Sequence, residues 1–329
     1  MNLVYVYPYS SSERDLLFEH LSSDWQVCKR RNLKADDDLT RQLASADAMI
    51  AMRVPPKLPP APNLKLLQLP GAGFEFISID SIPAECAVCN VFEHEIAMGE
   101  YVLGVMLSQT LDLGRMHAEL RQGDWSSSLM HSGRMHGELY AKTLGFVGFG
   151  HIGRQVAGLA KAFGMHNICV TRSPDRIAQE PLLDWAAGMD DLDRLLEESD
   201  YVLLACPLTD ATRNLIDARA FSKMKSSAYL INVARAGVVN EQALFDACAS
   251  HSIAGAAIDV WYRYPSGPGE ILTPSELPFE TLDNVIMTPH TSCWTEQLWV
   301  RRVKVIADNL NRLLRGESLL NRIARADLE

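Results

Sequence analysis

The chain has 329 residues, more than a single ordinary hydrophobic core holds, and this length predicts about two domains. Its residues are 47% hydrophobic and 22% charged, which is typical of a globular protein and excludes a disordered or fibrous one. The formal net charge is −10 and no run of lysine or arginine offsets it, so nucleic acid is not expected as a partner.

The N-terminal sequence, MNLVYVYPYSSSERD, has neither a basic lead nor a sustained apolar run. It therefore predicts no signal peptide. No uncharged apolar run approaches the length that crosses a bilayer. We expect a cytoplasmic protein without a membrane partner.

Cys86 and Cys89 have the spacing of a redox or metal motif. They lie in a segment, CAVCNVF, that reads as a strand, and no second pair completes a zinc site. The interpretation is a half-buried strand with reduced cysteines, and no metal site is predicted.

Short strands and helices alternate in the first part of the chain. The strand LKLLQL runs into PGAGFE, a tight turn with bare backbone amides, and AVCNVF closes a first α/β lobe. From Ile96 the chain continues as IAMGEYVLGVMLSQTL, a predicted helix whose only charge is Glu100. Such a helix must be covered on every side, either by a domain joint or by a subunit interface.

A second alternation follows, in which short apolar strands are separated by helices, and this pattern predicts a parallel sheet covered on both faces. The final helix, predicted from about Thr295 to Arg315, returns to the first lobe. The predicted fold is therefore α/β with two Rossmann-like lobes. A doubly wound cofactor domain, residues 97–292, is inserted into a smaller discontinuous α/β substrate domain, residues 1–96 and 293–329.

The segment LGFVGFGHIGRQVA follows an apolar strand and opens a helix. Gly148, Gly150 and Gly153 have the GxGxxG spacing, and His151 and Ile152 lie between them. These glycines permit a tight turn and the close approach of a pyrophosphate, while the helix N-terminus attracts its charge. In this strand–turn–helix context the motif predicts a dinucleotide site.

The next strand, NICVTRSP, would end in an acid if it bound the ribose 2′-hydroxyl of NAD. It carries Thr171, Arg172 and Ser173 instead. An arginine beside a hydroxyl suits a 2′-phosphate, so NADP is favoured over NAD. The alternative is that Arg172 is simply solvated beside the adenine.

Two further strands end in residues able to carry chemistry. Arg235 directly follows one strand, and His290 follows another through Thr288 and Pro289. An arginine near a pocket needs an anion, and a histidine there can exchange protons near neutral pH. The alternatives are an internal ion pair for Arg235 and a satisfied core histidine for His290.

The motifs together resemble the D-isomer-specific 2-hydroxyacid dehydrogenase family, which also includes formate and phosphite dehydrogenases. The resemblance covers nearly the whole chain and is most specific between Gly137 and Trp294. In chain order the motifs are PGAG, LGFVGFGHIGRQVA, CPLTDAT, INVARAGVVNEQAL, GAAIDVW and TPHTS. The resemblance implies an active site between the two lobes and a homodimer formed through the long apolar helix.

The resemblance also implies a role for individual residues. Arg235 matches the family's arginine, and His290 matches its proton-exchanging histidine. Asp259 matches an aspartate beside the nicotinamide, where it stabilises the cofactor. The carboxylate-binding backbone loop corresponds to Gly71, Ala72 and Gly73, and the positions that line the cofactor cleft correspond to Pro207, Thr212 and Ala234.

The chain departs from the family pattern at Tyr264. The family usually has a Glu-Pro pair five residues after that aspartate, and its glutamate bonds to the histidine. Here Tyr264 precedes Pro265. Either Tyr264 or Glu270, brought back by the PSGPGE segment, replaces the glutamate, and the choice stays open.

We therefore predict an NAD(P)-dependent oxidoreductase that transfers a hydride between nicotinamide and a small 2-keto or 2-hydroxy acid. Arg235 and the glycine amides would hold the substrate carboxylate, and His290 would exchange the proton. Two alternatives stay open: a formate- or phosphite-type anion oxidase, and a non-catalytic dinucleotide-sensing protein. The sequence identifies neither the substrate nor the physiological direction of the reaction.

Overall fold

A computed structural model describes residues 1–6, 11–267 and 269–328 of the chain. The chain forms two compact units. The first comprises Met1–Glu93 and Thr295–Glu329, and the second, inserted between these segments, is His94–Trp294. The predicted α/β class with two parallel sheets is confirmed.

The strands and helices of the first unit include β1 Asn2–Val6, α1 Ser11–His20, β2 Gln26–Arg30, α2 Asp37–Ser45, β3 Ala48–Ile50, β4 Leu66–Gln68 and β5 Ala87–Cys89. The five strands form a parallel sheet in the order β2-β1-β3-β4-β5. Helices of the unit cover it, among them the C-terminal helix Glu296–Arg315, which packs against α1. Apart from Gln68, the buried residues of the strands are apolar, as expected for a parallel sheet covered on both faces.

The strand predicted around Cys86 and Cys89 is β5, and both thiols are buried and free. Burial raises the pKa of each thiol to about 12. Both cysteines are therefore protonated at neutral pH and serve as small apolar residues. The prediction of a strand with reduced cysteines is confirmed, but the strand is buried on both faces and not half-buried.

The strands and α-helices of the second unit are α3 Glu95–Leu111, α4 Leu113–Arg121, β6 Thr143–Val147, α5 His151–Ala162, β7 His166–Val170, β8 Trp185–Ala187, α6 Leu192–Glu198, β9 Tyr201–Leu204, α7 Ala218–Lys223, β10 Tyr229–Asn232, α8 Glu241–Ala249, β11 Gly255–Ile258 and β12 Val285–Met287. The seven strands form a parallel sheet in the order β12-β11-β10-β9-β6-β7-β8. The strand order reverses between β6 and β9, and ligands of such sheets bind at the carboxyl ends of the strands beside this switch point.

The apolar helix predicted from Ile96 corresponds to α3, and α5 of the same unit covers one of its faces. A Cβ atom on Gly99 would lie 2.9 Å from Gln155 Cγ and 3.0 Å from Leu159 Cδ1, so the two helices approach closely at this glycine. Val105 is only 6% exposed and belongs to the core of its own unit. The chain itself therefore covers the helix at Val105, and the homodimer stays a prediction.

Large exposed apolar side chains are instead frequent just after α3. The exposed apolar side chains of the segment after α3 are Leu113, Leu120, Trp125, Leu129, Met130, Met135 and Tyr140.

Among the described residues of the chain, no helix combines the length and the apolar character needed to cross a membrane.

Candidate active site

The glycine motif lies where the sheet of the second unit reverses its order. Gly148 follows β6 with φ +90°, a left-handed conformation that favours glycine. A Cβ atom there would lie 3.0 Å from the carbonyl oxygen of Ala205 and from Cys206, which follow β9. Gly150 faces open space, with no atom within 4 Å of an added Cβ. The turn is therefore closely packed against the chain after β9 at Gly148 and open to a ligand at Gly150.

The helix α5 begins at His151, directly after Gly150, and Ile152 lies in its first turn. Gly153 packs against the Phe149 ring, where a Cβ atom would lie 3.1 Å from Cδ2. The first N–H groups of a helix have no partner within it and carry a partial positive charge. The open cradle at Gly150 and this helix end together fit the pyrophosphate of a dinucleotide.

The loop after β9 contains two of the predicted cleft residues and joins them. Thr212 Oγ1 donates a hydrogen bond of 2.7 Å to the carbonyl of Pro207 and accepts one of 2.8 Å from the Thr209 amide. Ala234, which follows β10, donates its amide proton to Asn232 Oδ1 over 3.0 Å. Three parallel strands, β6, β9 and β10, thus bring these residues to one edge of the sheet.

Arg172 lies two residues beyond β7 and its side chain is exposed. Because β7 pairs directly with β6, the arginine and the glycine turn follow neighbouring strand ends. Arg235 follows β10 and is also exposed, and its NH1 group donates to the carbonyl of Ala234 over 2.8 Å. Both guanidinium groups lie on the carboxyl side of the sheet.

Asp259 directly follows β11 and is fully buried. Its Oδ1 accepts hydrogen bonds from Thr288 Oγ1 at 2.6 Å and from the Thr291 amide at 2.8 Å. Its Oδ2 accepts from the Ser292 amide at 3.0 Å. The buried charge is therefore compensated by donors on the segment that carries His290.

Thr288 extends this network to α3, because its Oγ1 lies 2.7 Å from Tyr101 Oη. The Trp261 indole donates to the Thr288 carbonyl over 2.8 Å. Sequence reasoning did not find the role of Thr288 or Tyr101. A hydroxyl residue directly after a strand, beside a strand that ends in a buried acid, is the signal that could have indicated Thr288.

His290 is held in an unusual backbone conformation by this segment. Its φ is +56°, in the left-handed region, and its amide donates to the Thr288 carbonyl over 3.1 Å. Non-glycine residues adopt this region rarely, and such residues are frequent at functional sites. The hydrogen bonds that Asp259 makes on both sides of His290 stabilise it.

The side chain of Tyr264 contacts His290, with 3.0 Å between Oη and Nδ1. Glu270 does not take this place, because its carboxylate accepts hydrogen bonds from the amide and the hydroxyl of Ser266 at 2.7 and 2.6 Å. Of the two residues that the sequence offered as replacements for a glutamate, the structure brings Tyr264 to the histidine. Pro268, in the same loop, lies outside the described residues.

The pKa of His290 lies below its ordinary value of 6.5. Partial burial of the ring is the main cause, and the positive charge of Arg235 acts in the same direction. The negative charge of Asp259 opposes both. The imidazole is therefore mostly neutral at pH 7.

Gly71, Ala72 and Gly73 follow β4 in the first unit. The carbonyl of Gly71 accepts from the Val91 amide at 3.2 Å, and that of Ala72 accepts from Asn90 Nδ2 at 2.9 Å. The chain after β5 thus fixes the carbonyls of Gly71 and Ala72, and the loop that these two residues form with Gly73 lies at the carboxyl edge of that sheet.

Comparisons with known proteins agree with this geometry. Residues 103–292 match the family model described as D-isomer specific 2-hydroxyacid dehydrogenase, NAD binding domain. A glyoxylate reductase of Thermofilum pendens is 31% identical over 306 residues, which are 91% of this chain and 85% of that protein.

A D-3-phosphoglycerate dehydrogenase of Methanocaldococcus jannaschii is 33% identical over 261 residues, 78% of this chain but only 47% of that enzyme. The chain thus spans about half the length of this relative. A crystal structure of a D-isomer specific 2-hydroxyacid dehydrogenase family protein from Aeromonas salmonicida has a TM-score of 0.78 at 24% identity, with 98% of each chain covered. That likeness supports the fold.

A match over more than half of the chain, and a relative above 30% identity across most of both proteins, establish the family that the motifs predicted. The chain belongs to the D-isomer specific 2-hydroxyacid dehydrogenase family, and its second unit carries that family's NAD-binding domain.

Proposed function

We propose that this protein is an NAD(P)-dependent D-2-hydroxyacid dehydrogenase that acts on a small 2-keto acid or its 2-hydroxy counterpart. The observation that carries the proposal is the anchored histidine: His290 is held by Tyr264 at Nδ1, and Asp259 accepts hydrogen bonds from the Thr288 hydroxyl before it and from two backbone amides after it. It stands at the same edge of the sheet as the glycine turn. A non-catalytic sensor would need no such histidine.

Arg235 and the loop of Gly71, Ala72 and Gly73 are proposed to hold the substrate. The guanidinium offers several donors in a fixed plane, which suits a carboxylate and an adjacent keto oxygen. The backbone amides of Gly71, Ala72 and Gly73 are proposed, from the family resemblance, to bind a carboxylate as well. Holding the substrate in this way lowers the entropic part of the barrier.

His290 is proposed to exchange the proton at the substrate oxygen. In reduction its imidazolium donates the proton, and in oxidation its neutral ring accepts one. Bound nicotinamide supplies or accepts the hydride. Asp259 acts on the ring through the backbone and through its charge.

The nicotinamide cofactor is proposed to be NADP rather than NAD. Support comes from Arg172, which is exposed at the end of β7 where an acid would favour the ribose 2′-hydroxyl. The pyrophosphate would lie on Gly148, Gly150 and Gly153, against the first turn of α5. Pro207, Thr212 and Ala234 would line the rest of the cleft.

A homodimer is proposed as the assembly. The support differs from the sequence expectation, because Val105 on α3 is buried within its own unit. Exposed apolar side chains follow α3 instead, and Leu129 and Met135 are 93% and 92% exposed. Patches of this kind mark interaction sites. The cytoplasmic location stays a prediction.

The experiment is a screen of the purified protein with small 2-keto acids plus NADH or NADPH, and with 2-hydroxy acids, formate and phosphite plus NAD or NADP. We expect turnover of 2-keto acids, its loss in His290→Gln and Arg235→Gln, and retention in His166→Gln. His166 is an exposed histidine at the start of β7 and serves as the matched control. Turnover of formate or phosphite alone would identify the anion oxidase, and cofactor binding without any turnover would identify the sensor.

A further inference from the structure

The hydroxyl of Tyr264 lies between a backbone amide and an imidazole ring. The Trp261 amide donates to Oη over 3.1 Å, and Oη lies 3.0 Å from Nδ1 of His290. A hydroxyl has one proton to give and lone pairs that accept. Because an amide N–H can only donate, one lone pair of Oη is used by Trp261, and the proton of Oη remains available.

The side chains of Tyr264 and His290 are both neutral near pH 7. Burial and Asp259 raise the pKa of Tyr264, outweighing the Trp261 amide and Arg235, which lower it. The pKa of His290 is lowered, mainly by burial, with Arg235 acting in the same direction and Asp259 against it. Glu270, the remaining acid of this loop, is bonded to Ser266. The pair therefore shares two protons, one on the phenol and one on the imidazole.

Two arrangements of these protons exist. In the first, Oη donates to Nδ1 and the imidazole proton is on Nε2. In the second, Nδ1 donates to Oη, which must then accept twice and turn its own proton to solvent. The first arrangement satisfies both groups with the partners that the protein provides. We propose that Tyr264 donates its phenol proton to Nδ1 and so holds neutral His290 in the tautomer that carries its proton on Nε2.

This assignment distinguishes Tyr264 from a carboxylate in the same place. An ionised acid can only accept, and it would keep the proton on Nδ1 and leave Nε2 bare. A phenol can do both: when His290 is an imidazolium, Nδ1–H donates to Oη, and Tyr264 is 50% exposed, so its own proton can reach water. Tyr264 is thus a positioning residue that contacts His290 in both protonation states without adding a charge. Because Tyr264 occupies Nδ1, the neutral ring must pass to the tautomer with its proton on Nδ1 before Nε2 can accept a proton from the substrate in oxidation. Its importance for catalysis rests on the proposed function.

The tautomer can be measured directly by ¹⁵N NMR of the histidine-labelled protein without substrate. The His290 signals are assigned from the spectrum of His290→Gln. At a pH above the pKa of the ring, we expect Nε2 to be protonated and Nδ1 to be the hydrogen-bonded, unprotonated nitrogen. A protonated Nδ1 in the neutral wild-type ring would overturn the proposal.

Three substitutions extend the test. Tyr264→Glu should move the proton to Nδ1 and shift the basic limb of the reductive kcat/KM profile upward by about 1 pH unit, since an adjacent carboxylate favours the imidazolium. Tyr264→Phe keeps the ring but removes the O–H···N bond, so the Nδ1 resonance should move even if the glutamate variant does not fold. Tyr262→Phe removes a hydroxyl that bonds to the Val239 carbonyl, and it should leave the His290 signals unchanged.

If Tyr264→Phe and Tyr264→Glu both leave the His290 resonances where they are in the wild type, Tyr264 does not set the tautomer. The NMR result stands apart from turnover. A protein that shows the expected tautomer but reduces no 2-keto acid would contradict the proposed function and leave this inference intact.

Discussion

Asp259 and Thr288 are joined by a hydrogen bond of 2.6 Å between Oδ1 and Oγ1, in the interior of the second unit. Together with the amides of Thr291 and Ser292, this bond ties the end of β11 to the segment that carries His290. The sequence expectation assigned Asp259 to the cofactor, and that role stays a proposal. Its observed contacts give it a second task, which is to fix the backbone around His290.

Asp259→Asn should therefore weaken both the fold and the activity. The amide retains one acceptor oxygen but turns an NH₂ group toward a backbone donor, and loss of a hydrogen bond to a buried charge costs about 1.5–3 kcal/mol of unfolding free energy. Denaturant unfolding measures this loss. Thr288→Val should show part of the effect, while Thr288→Ser retains the hydroxyl and is the control. If Asp259→Asn and Thr288→Val are as stable as the wild type and the Thr288→Ser control, Asp259 does not anchor this segment.

The pH dependence of reduction follows from the lowered pKa of His290. Reduction needs the imidazolium, so kcat/KM should be highest at low pH and fall as pH rises through the pKa of the free enzyme. That midpoint should lie below the ordinary value of 6.5. Asp259→Asn should lower it further, because the aspartate charge raises the pKa of the ring. A wild-type midpoint above 6.5 would show that burial does not determine the pKa of His290.

Arg172→Ala should weaken the binding of NADPH and leave that of NADH nearly unchanged. A charge-assisted hydrogen bond is worth about 1.5–3 kcal/mol, which corresponds to a loss of roughly ten- to a hundredfold in affinity. Fluorescence titration of each reduced cofactor gives both dissociation constants. Equal losses for the two cofactors, or a wild type that prefers NADH, would refute the preference for the phosphorylated cofactor.

Leu129→Glu should convert the proposed dimer into monomers without unfolding it, because the side chain is 93% exposed in the single chain. Light scattering at micromolar concentration measures the mass. Ile271→Glu places the same charge at a fully exposed apolar residue of another loop and should leave the dimer intact. A wild-type protein that is a stable monomer would contradict the assembly. Val105→Asp is unsuitable as a test, since it would place a charge in the core of the unit.

Local patterns determined the dinucleotide turn. GxGxxG spacing between a strand and a helix is specific for this turn. Gly148 has φ +90°, and a Cβ atom there would lie too close to the chain after β9, so the position requires glycine. The same holds for the parallel sheets, since strands that are apolar on both faces must be covered on both. These features depend on residues close together in the chain, and the sequence was sufficient for them.

Tertiary structure decided the features that depend on distant residues. The apolar surface of α3 indicated that it must be covered, but only the fold shows that α5 covers one face and that the two helices approach closely at Gly99. The sequence favoured Tyr264 and left open whether Glu270 contacts the histidine instead. In the folded chain the Trp261 amide holds the Tyr264 hydroxyl at Nδ1, while Ser266 satisfies the Glu270 carboxylate within its own loop. Hydrogen-bond geometry, which cannot be read from the sequence pattern, determines that Tyr264 and not Glu270 contacts His290.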